Sequence, residues 1–285
     1  MNVAINGFGR IGRAAFKALL NKKGVNVVAI NDLTDVKTLA QLLQYDSCYG
    51  VYGKKVGSEA GSLIVDLPAG QAGKKKYQVL AEKEPAKLPW SKLKVDIVLE
   101  CTGRFLDEAG AGEHLKAGAK KVILSAPAKG ENIKNIVLSV NEKDLNKNDK
   151  IISMASCTTN CLAPVTKIIS DNFGVKKAIM STIHSYTSDQ NLVDGPHKDF
   201  RRARAAAMNI IPTTTGAALA AAKTIPELAG KFDGLSLRVP TPVVSLCDTV
   251  FITEKPVTAE AVNKVIKKAA AGNYKGYLAG YFNNF

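Results

Sequence analysis

The chain of 285 residues is predicted to be an α/β protein, with a doubly wound parallel sheet first and an α+β part with a mostly antiparallel sheet second. Two observations predict this class. Through the first half, apolar strand patterns alternate with helical patterns, as in a parallel sheet covered by helices. After residue 157, strands of a second sheet surround a long polar segment, Ser188–Asn209. We expect one domain over residues 1–156 and another over 157–285.

The first strand and the first helix are joined by a G-x-G-x-x-G turn. Asn2–Asn6 has the composition of a buried strand, Gly7–Gly12 follows it, and Arg13–Asn21 has helical spacing. The second strand, Val25–Ile30, leads to Asp32, which lies 20 residues after the turn. Such glycines let the backbone approach a pyrophosphate, and the acid can hold ribose hydroxyls. A tight structural turn would explain the glycines but not the acid, so we predict a dinucleotide-binding (Rossmann) domain.

Further elements continue the alternation. Helices are predicted at Val36–Tyr45 and Asp107–Ala117, and strands at Ser62–Leu67, Tyr77–Leu80, Asp96–Cys101 and Lys121–Ser125, with a flexible polar loop over 68–76. The carboxyl ends of parallel strands meet at one edge of the sheet. We therefore expect Asp32, Thr102-Gly103 and Ser125 to line the cofactor crevice.

The second domain is predicted to combine the strands of a second sheet with helices. Strands are predicted at Ala178–Ile183, Leu235–Val239 and Val250–Thr253, and helices from Pro212 to about Lys223 and over Thr258–Ala271. The polar segment 188–209 separates the first of these strands from the next helix. Loops of that length inside a compact domain are uncommon unless they are functional.

Cys157 lies where a strand gives way to a helix. The hexapeptide Ser156–Cys161 follows the apolar run Ile151–Ala155, and its hydroxyl and amide side chains can cap a helix. The dipole at a helix N-terminus favours a thiolate, which predicts a nucleophile. A lone cysteine is more often a small buried hydrophobic residue, and both readings stay open here.

Three histidines are available as partners for the thiol. His114 is expected on the surface of a helix, and His197 is a structural or interface residue of the polar segment. His184 ends a strand in the domain that carries Cys157. A Cys–His pair is the usual way to obtain a thiolate near neutral pH, but a hydrogen-bonded core histidine is the alternative.

Composition limits the partners and the compartment. The net charge of +14 suits phosphorylated metabolites and dinucleotides, and the scattered lysines without interleaved aromatics do not support nucleic-acid binding. No apolar run reaches the roughly 20 residues of a membrane span. Five widely spaced cysteines indicate free thiols and a cytoplasmic location. Cys157 and Cys161 have no second pair nearby, so no metal site is expected.

A thiolate beside a nicotinamide suggests aldehyde oxidation. The thiolate adds to the aldehyde, His184 takes the hydroxyl proton as hydride leaves, and water or phosphate releases the resulting thioester from Cys157. Six groups supply hydroxyls, backbone N–H groups and a guanidinium that suit a phosphorylated substrate and inorganic phosphate: Ser156, Thr158, Thr187, Thr215, Gly216 and Arg238. Helix capping is the alternative role for the threonines.

Motifs along essentially the whole chain resemble glyceraldehyde-3-phosphate dehydrogenases. They are Asn6–Arg13, Ser156–Cys161, Thr182–Thr187, Pro196–Asp199, Arg201–Ala207, Ile211–Ala218 and Arg238–Pro242. Erythrose-4-phosphate dehydrogenases are similar too, but the run Pro212–Gly216 favours the triose enzyme. The resemblance implies phosphorylating, NAD-dependent oxidation of glyceraldehyde 3-phosphate in glycolysis and gluconeogenesis.

The resemblance also implies roles for individual residues. Cys157 is the nucleophile, His184 is its base, and the six anion-binding groups hold the two phosphates. The dinucleotide contacts are the glycines of the turn and further residues: Gly7, Gly9, Arg10, Ile11, Gly12, Asp32, Lys83 and Ser125. The Asp32 carboxylate favours NAD, because it would meet the 2′-phosphate of NADP. A homotetramer is implied, with Ser188–Asn209 at a subunit interface.

The chain departs from the family pattern at three places. Met154 and Val243 stand where the family usually has Asn, and the family continues for several dozen residues beyond Phe285, through a motif that orients the nicotinamide. We expect a fragment of a longer gene or a lost tail, and the tetramer when the tail is present. The alternative function is a truncated, non-catalytic relative that retains dinucleotide or nucleic-acid binding.

Overall fold

A computed structural model of the chain describes residues 1–67 and 73–280. These residues form two compact units. The first comprises residues 1–134 and 146–154, and the second comprises 135–145 and the residues from 155 onward. The division at 156/157 stays a prediction. Of the loop predicted at 68–76, residues 68–72 lie outside the described residues, and the prediction is wrong for 74–76, which pair with the neighbouring strand as part of a strand over Lys74–Leu80.

The first unit is built on a mainly parallel sheet with helices. Its strands are β1 (Asn2–Asn6), β2 (Asn26–Asn31), β3 (Tyr45–Asp46), β4 (Gly50–Val51), β5 (Val56–Glu59), β6 (Ser62–Asp66), β7 (Lys74–Leu80), β8 (Ile97–Glu100), β9 (Lys121–Leu124), β10 (Lys134–Asn135) and β11 (Ile151–Ser153). Its helices are α1 (Arg10–Leu19), α2 (Val36–Gln44) and α3 (Glu108–Lys116). The large sheet has the order β10-β11-β9-β8-β1-β2-β7-β6-β5, while β3 and β4 pair separately.

The pairing confirms the predicted doubly wound sheet. β1 lies between β2 and β8 and is parallel to both, and β9 continues the parallel run. The β5-β6-β7 edge is antiparallel. Helix α1 packs Phe16 edge-to-face on Phe8 and Tyr77, with ring centroids 5.5 and 4.9 Å apart. This packing holds the glycine turn against the sheet, since Phe8 belongs to that turn.

The second unit carries the smaller sheet. It contains α4 (Cys157–Phe173), β12 (Val175–Ser185), β13 (Ile211–Thr214), α5 (Ala217–Thr224), β14 (Phe232–Val239), β15 (Leu246–Thr253) and α6 (Ala259–Ala271). The strand order is β13-β14-β12-β15. β12 is parallel to β14, and the other two pairings are antiparallel, which confirms a mostly antiparallel sheet. Its core lies between this sheet and the helices, around Met180 and Leu162.

Three further local predictions are wrong. Helix α1 begins at Arg10 and not at Arg13, because the extended Gly9 already ends the turn. Pro212 lies in β13 and does not start a helix. β13 is an edge strand, where a residue without an N–H is tolerated. His114 is completely buried and not on the surface, because its helix turns it toward Trp90 and Glu100.

The sequence predicts no membrane span. Within residues 1–67 and 73–280, each helix is too short or too polar to cross a bilayer.

Candidate functional site

A cavity of about 820 Å³ opens in the first unit at the carboxyl ends of β1, β2 and β8. Its size is in the range of natural ligand pockets. Among the predicted cofactor residues, its lining includes Gly7, Gly9, Asp32 and Lys83, and it adds several that were not assigned: Asn6, Asn31, Leu33, Glu82, Glu84, Cys101, Phe105 and Glu113. Thr102 lines it as expected.

The glycine turn fits a dinucleotide pyrophosphate. Gly7 has a φ of +90°, and a Cβ there would lie 2.7 Å from the Thr102 backbone nitrogen. A Cβ on Gly12 would lie 2.0 Å from the Gly7 carbonyl oxygen, so both positions require glycine. At Gly9 a Cβ would meet no atom within 4 Å, and this N-cap has no side-chain hydrogen bond to α1. The space above the helix N-terminus is thus open to an anion.

Asp32 is held in place by backbone donors. Its carboxylate accepts hydrogen bonds from the Phe8 N–H (2.7 Å) and the Thr34 N–H (2.9 Å). These bonds set the acid against the glycine turn at the edge of the cavity, where it suits a ribose diol.

The other predicted cofactor residues lie near this cavity but outside its lining in the described chain. Arg10 and Ile11 begin α1, and Arg10 lies 3.4 Å from the Asp46 carboxylate. Gly12 is buried under the turn. Ser125 follows β9, where its N–H donates to the Glu100 carbonyl oxygen (3.0 Å). Their contacts with the dinucleotide stay predictions.

In the second unit, Cys157 is the first residue of α4. Ala155 has a φ of +56°, which turns the chain sharply before the helix. Ser156 is the N-cap, and its hydroxyl accepts from the Thr159 N–H (3.0 Å). The Cys157 side chain is exposed and lies at the positive end of the helix dipole, which favours a thiolate.

His184 lies against this thiol. Its Nε2 is 3.5 Å from the Cys157 Sγ, although the two residues are 27 apart in the chain. Its Nδ1 is 2.7 Å from the Ser185 carbonyl oxygen. The Arg238 Nη1, which only donates, lies 3.1 Å from the same nitrogen. The shorter contact is with a carbonyl, which only accepts, and it favours a proton on Nδ1, with the Nε2 lone pair of neutral His184 toward sulfur. That tautomer is the one a general base needs.

The two groups shift each other's protonation. The hydrogen bond with His184 lowers the pKa of Cys157, against the opposing effect of burial. The same contact raises the pKa of His184, and burial again opposes it. The pair therefore favours thiolate with imidazolium more than two isolated side chains would.

Comparison with known proteins identifies the family. The model of the glyceraldehyde 3-phosphate dehydrogenase NAD binding domain matches residues 1–108, and that of the C-terminal domain matches 156–283. The chain belongs to the glyceraldehyde-3-phosphate dehydrogenase family. Glyceraldehyde-3-phosphate dehydrogenase 1 of Bacillus subtilis is 54% identical, over 99% of this chain and 82% of the relative. Those of Borreliella burgdorferi and Geobacillus stearothermophilus are both 52% identical, over 99% and 98% of this chain and 83% and 81% of the relatives.

The family match supports NAD as the cofactor, as the glycine turn and the acid predicted. It likewise confirms the resemblance drawn from the motifs. A metal site was not expected, and in the described part of the chain no three His, Cys, Asp or Glu side chains are placed to hold a metal ion.

Arg238 joins the Cys–His pair within this family site. Its Nη1 donates to the Ser185 carbonyl oxygen (3.0 Å) and to the Thr187 hydroxyl (3.4 Å). Burial, followed by the charge of Arg202, lowers the pKa of Arg238. Arg202 itself donates to the Thr213 hydroxyl (2.8 Å). The sequence reasoning assigned Arg202 no role, although the cluster of arginines in the polar segment was a signal for it.

Of the remaining predicted phosphate residues, Thr158 contacts Cys157, and the others lie at the starts of helices. The hydroxyl of Thr158 is 3.9 Å from the Cys157 sulfur. Ser156 is the N-cap of α4, and the hydroxyl of Thr215, two residues before α5, accepts from the Ala217 N–H (3.2 Å). Gly216 is the N-cap of α5. Phosphate binding by these residues stays a prediction.

A second thiol pair lies close to the first. A hydrogen bond with Cys247 lowers the pKa of Cys161 to about 7, and the same bond raises the pKa of Cys247. Cys161 is exposed and one helical turn after Cys157. Any reagent that tests Cys157 must therefore be shown to distinguish it from Cys161.

Proposed function

We propose that this chain oxidises glyceraldehyde 3-phosphate to 1,3-bisphosphoglycerate, with NAD as oxidant and inorganic phosphate as acyl acceptor. The observation that carries the proposal is the 3.5 Å approach of His184 Nε2 to the sulfur of Cys157, at a helix N-terminus. The curated relatives are named glyceraldehyde-3-phosphate dehydrogenases and match nearly the whole chain. The reaction belongs to glycolysis and gluconeogenesis.

The side chains support a covalent route. The Cys157 thiolate adds to the aldehyde carbon, and the carbonyl oxygen takes the proton of the His184 imidazolium, which forms a thiohemiacetal. His184 then accepts the proton of the thiohemiacetal hydroxyl at Nε2 as hydride leaves the carbon, and a thioester on Cys157 results. NAD, when bound, supplies the acceptor for the hydride that leaves the same carbon. A phosphate oxygen then attacks the thioester carbonyl, the carbon–sulfur bond breaks, and Cys157 leaves as the thiolate.

Arg238 is proposed to hold a phosphate beside this pair. Its guanidinium contacts Ser185 and Thr187 and lies next to the second cation, Arg202. Guanidinium groups form strong, directional bonds with phosphate oxygens. We assign Thr158, Thr187 and the Thr215-Gly216 helix start to the same task, because each offers a hydroxyl or a backbone N–H group.

We further propose that the chain assembles as a homotetramer. One face of the smaller sheet carries apolar side chains that are 44–60% exposed: Ile179, Leu235, Leu246, Val250 and Ile252. They share a face because strand residues alternate, and Ile179 pairs with Val250 across β12 and β15. The segment 188–209 adds the exposed Leu192, Phe200 and Met208. Contiguous apolar patches of this kind favour contact with another copy.

We propose a cytoplasmic location, which the five free cysteines support. The rival function, a non-catalytic binding protein, is not favoured, because the relatives are named for the dehydrogenase. Neither the relatives nor the charge pattern supports a nucleic-acid partner.

The decisive experiment compares Cys157→Ser and His184→Asn with wild-type protein in an assay of NADH formation that requires both aldehyde and phosphate. We expect Cys157→Ser to abolish turnover and His184→Asn to slow acylation by roughly 10²–10⁴-fold. Cys48→Ser, in the first unit, is the control and should be fully active. Turnover retained by Cys157→Ser would overturn the proposed mechanism.

A further inference from the structure

Five polar side chains form a continuous hydrogen-bonded chain in the interior of the first unit. We define the buried polar network as Asn6, Asn31, Trp90, Glu100 and His114, none of which is more than 5% exposed. Buried polar groups are costly unless each has a partner, whereas a fully satisfied network specifies a single arrangement. The network comes from five separate places in the chain: β1, β2, the segment before β8, β8 and α3.

Trp90 determines which proton His114 carries. The indole Nε1 is 3.0 Å from His114 Nδ1. Indole can only donate, so Nδ1 must accept and the imidazole proton lies on Nε2. From there it points to the Glu100 Oε2, at 3.1 Å. His114 is thus restricted to one neutral tautomer, in which it accepts from Trp90 and donates to Glu100.

Glu100 is the centre of the network. Its Oε2 also accepts from the Asn6 side-chain amide (2.6 Å), and its Oε1 accepts from the backbone N–H of Thr102 (2.7 Å) and from the Thr102 hydroxyl. Four donors therefore converge on one group, and a carboxylate is the side chain that accepts at both atoms without donating.

The network reaches the cavity through its members Asn6 and Asn31 and through Thr102. The amide oxygen of Asn6 accepts from Asn31 (2.7 Å), and Asn31 in turn exchanges two hydrogen bonds with the backbone of Glu82, at 2.8 and 2.9 Å. Asn6, Asn31, Glu82 and Thr102 line the cavity. Glu100 is fully buried behind them.

The backbone of Thr102 also packs closely against the glycine turn at Gly7. Its backbone nitrogen occupies the position where a Cβ on Gly7 would come within 2.7 Å. Glu100 holds that same nitrogen by a hydrogen bond. A change at Glu100 therefore moves the wall against which the pyrophosphate turn is packed.

We propose that Glu100 and His114 are positioning residues for the dinucleotide site. They contact no part of the cavity themselves. They set the orientation of Asn6, Asn31 and Thr102, and through these the width of the cavity between the glycine turn and the end of β8. The inference rests on the proposed use of NAD and goes beyond it by naming buried residues that control its affinity.

Glu100→Gln is the sharpest perturbation, because it keeps the volume and adds one donor. If the new amide nitrogen replaces Oε2, it faces the donors of Asn6 and His114. If it replaces Oε1, it faces the N–H of Thr102. His114 cannot relieve the first conflict by changing tautomer, since a proton on Nδ1 would face the indole N–H of Trp90. Either orientation leaves one donor opposed to another.

The test measures NAD affinity by calorimetry, without aldehyde or phosphate. We expect Glu100→Gln to bind NAD about 10- to 100-fold more weakly, from the cost of an unsatisfied buried donor. The matched control is Val98→Ala, a fully buried change on the same strand that removes packing but no hydrogen bond. It should lower the melting temperature while binding NAD as wild-type protein does.

A second variant keeps the proposal testable if Glu100→Gln does not fold. Thr102→Val removes the hydroxyl that donates to Glu100 and accepts from the Arg104 N–H (3.1 Å). Trp90 is the single tryptophan, so its indole N–H gives one resolved cross-peak in a ¹H–¹⁵N spectrum. We expect that peak to shift in Thr102→Val, because the change passes through Glu100 and His114 to the indole.

The outcomes separate the two proposals. An unmoved indole peak, or equal losses of NAD affinity in Glu100→Gln and Val98→Ala, would overturn the positioning role and leave the proposed dehydrogenase intact. Wild-type protein that binds no NAD would overturn the proposed function and this inference with it. NAD binding that is weakened in Glu100→Gln but not in Val98→Ala, together with a shifted indole peak in Thr102→Val, would support the inference.

Discussion

Removing His184 should make Cys157 a slower nucleophile at neutral pH. The variant is His184→Asn, made in a Cys161→Ala background because the pKa of Cys161 is itself lowered to about 7. Asparagine keeps a polar side chain but cannot carry the positive charge of an imidazolium. The thiol then loses the main group that stabilises its charged form.

The magnitude follows from the geometry of the pair. Opposite unit charges 3.5 Å apart attract by about 5 kcal/mol at an effective dielectric of about 20, and by about 1 kcal/mol in water. His184 is buried but Cys157 is exposed, so the effective attraction lies toward the lower end, at about 1.5–3 kcal/mol. At 1.4 kcal/mol per factor of ten, alkylation of Cys157 at neutral pH should slow by roughly 10- to 100-fold.

The sign of the pH dependence is also determined. His184 lowers the pKa of Cys157, so its removal raises that pKa and the alkylation curve moves to higher pH. The difference between the proteins should be largest at neutral pH and should vanish at high pH, where both thiols are ionised.

The assay follows iodoacetamide modification by mass spectrometry of the peptide that contains Cys157, across a range of pH. His197→Asn in the same background is the control, since His197 contacts Asp199 and Asp189 and not Cys157. Superimposable pH curves for His184→Asn and the parent protein would refute the ion-pair reasoning.

Other predictions concern phosphate, cofactor, strain and assembly. Arg238→Ala should raise the KM for the aldehyde phosphate about 10- to 100-fold by removing a charge-assisted contact, measured by steady-state kinetics. Asp32→Asn should weaken NAD binding about 10-fold and should reduce the ratio of the affinity for NAD to that for NADP, measured by calorimetry with both dinucleotides. Val244 has a φ of +70°, so Val244→Asn should raise the free energy of unfolding by about 1 kcal/mol in urea denaturation, whereas Val193→Asn, at another exposed valine, should not. Ile252→Glu should shift sedimentation toward smaller species, because each copy would bury a charge at the proposed sheet interface; unchanged sedimentation would argue against that interface.

Local features were predicted well because they depend on near neighbours. The glycine turn needs close approach to the helix it begins, and the Ser156 cap bonds a residue three positions away. The errors at His114 and Pro212 have the opposite origin. Burial of His114 depends on Trp90, 24 residues away, and Pro212 is placed by pairing of its strand at a sheet edge.

The sequence by itself determined the family, the order of the elements, the dinucleotide turn and the cysteine at a helix start, because each follows from local patterns of residue types. Only the tertiary structure decided which groups meet. His184 and Arg238 come together because they are paired across parallel strands β12 and β14, and the fold of α4 beside them brings Cys157 to the imidazole. Strand register and helix packing are set by the whole core. The contacts of His184 with Cys157, 27 residues away, and with Arg238, 54 residues away, therefore exist only in the folded chain and cannot be found from short motifs.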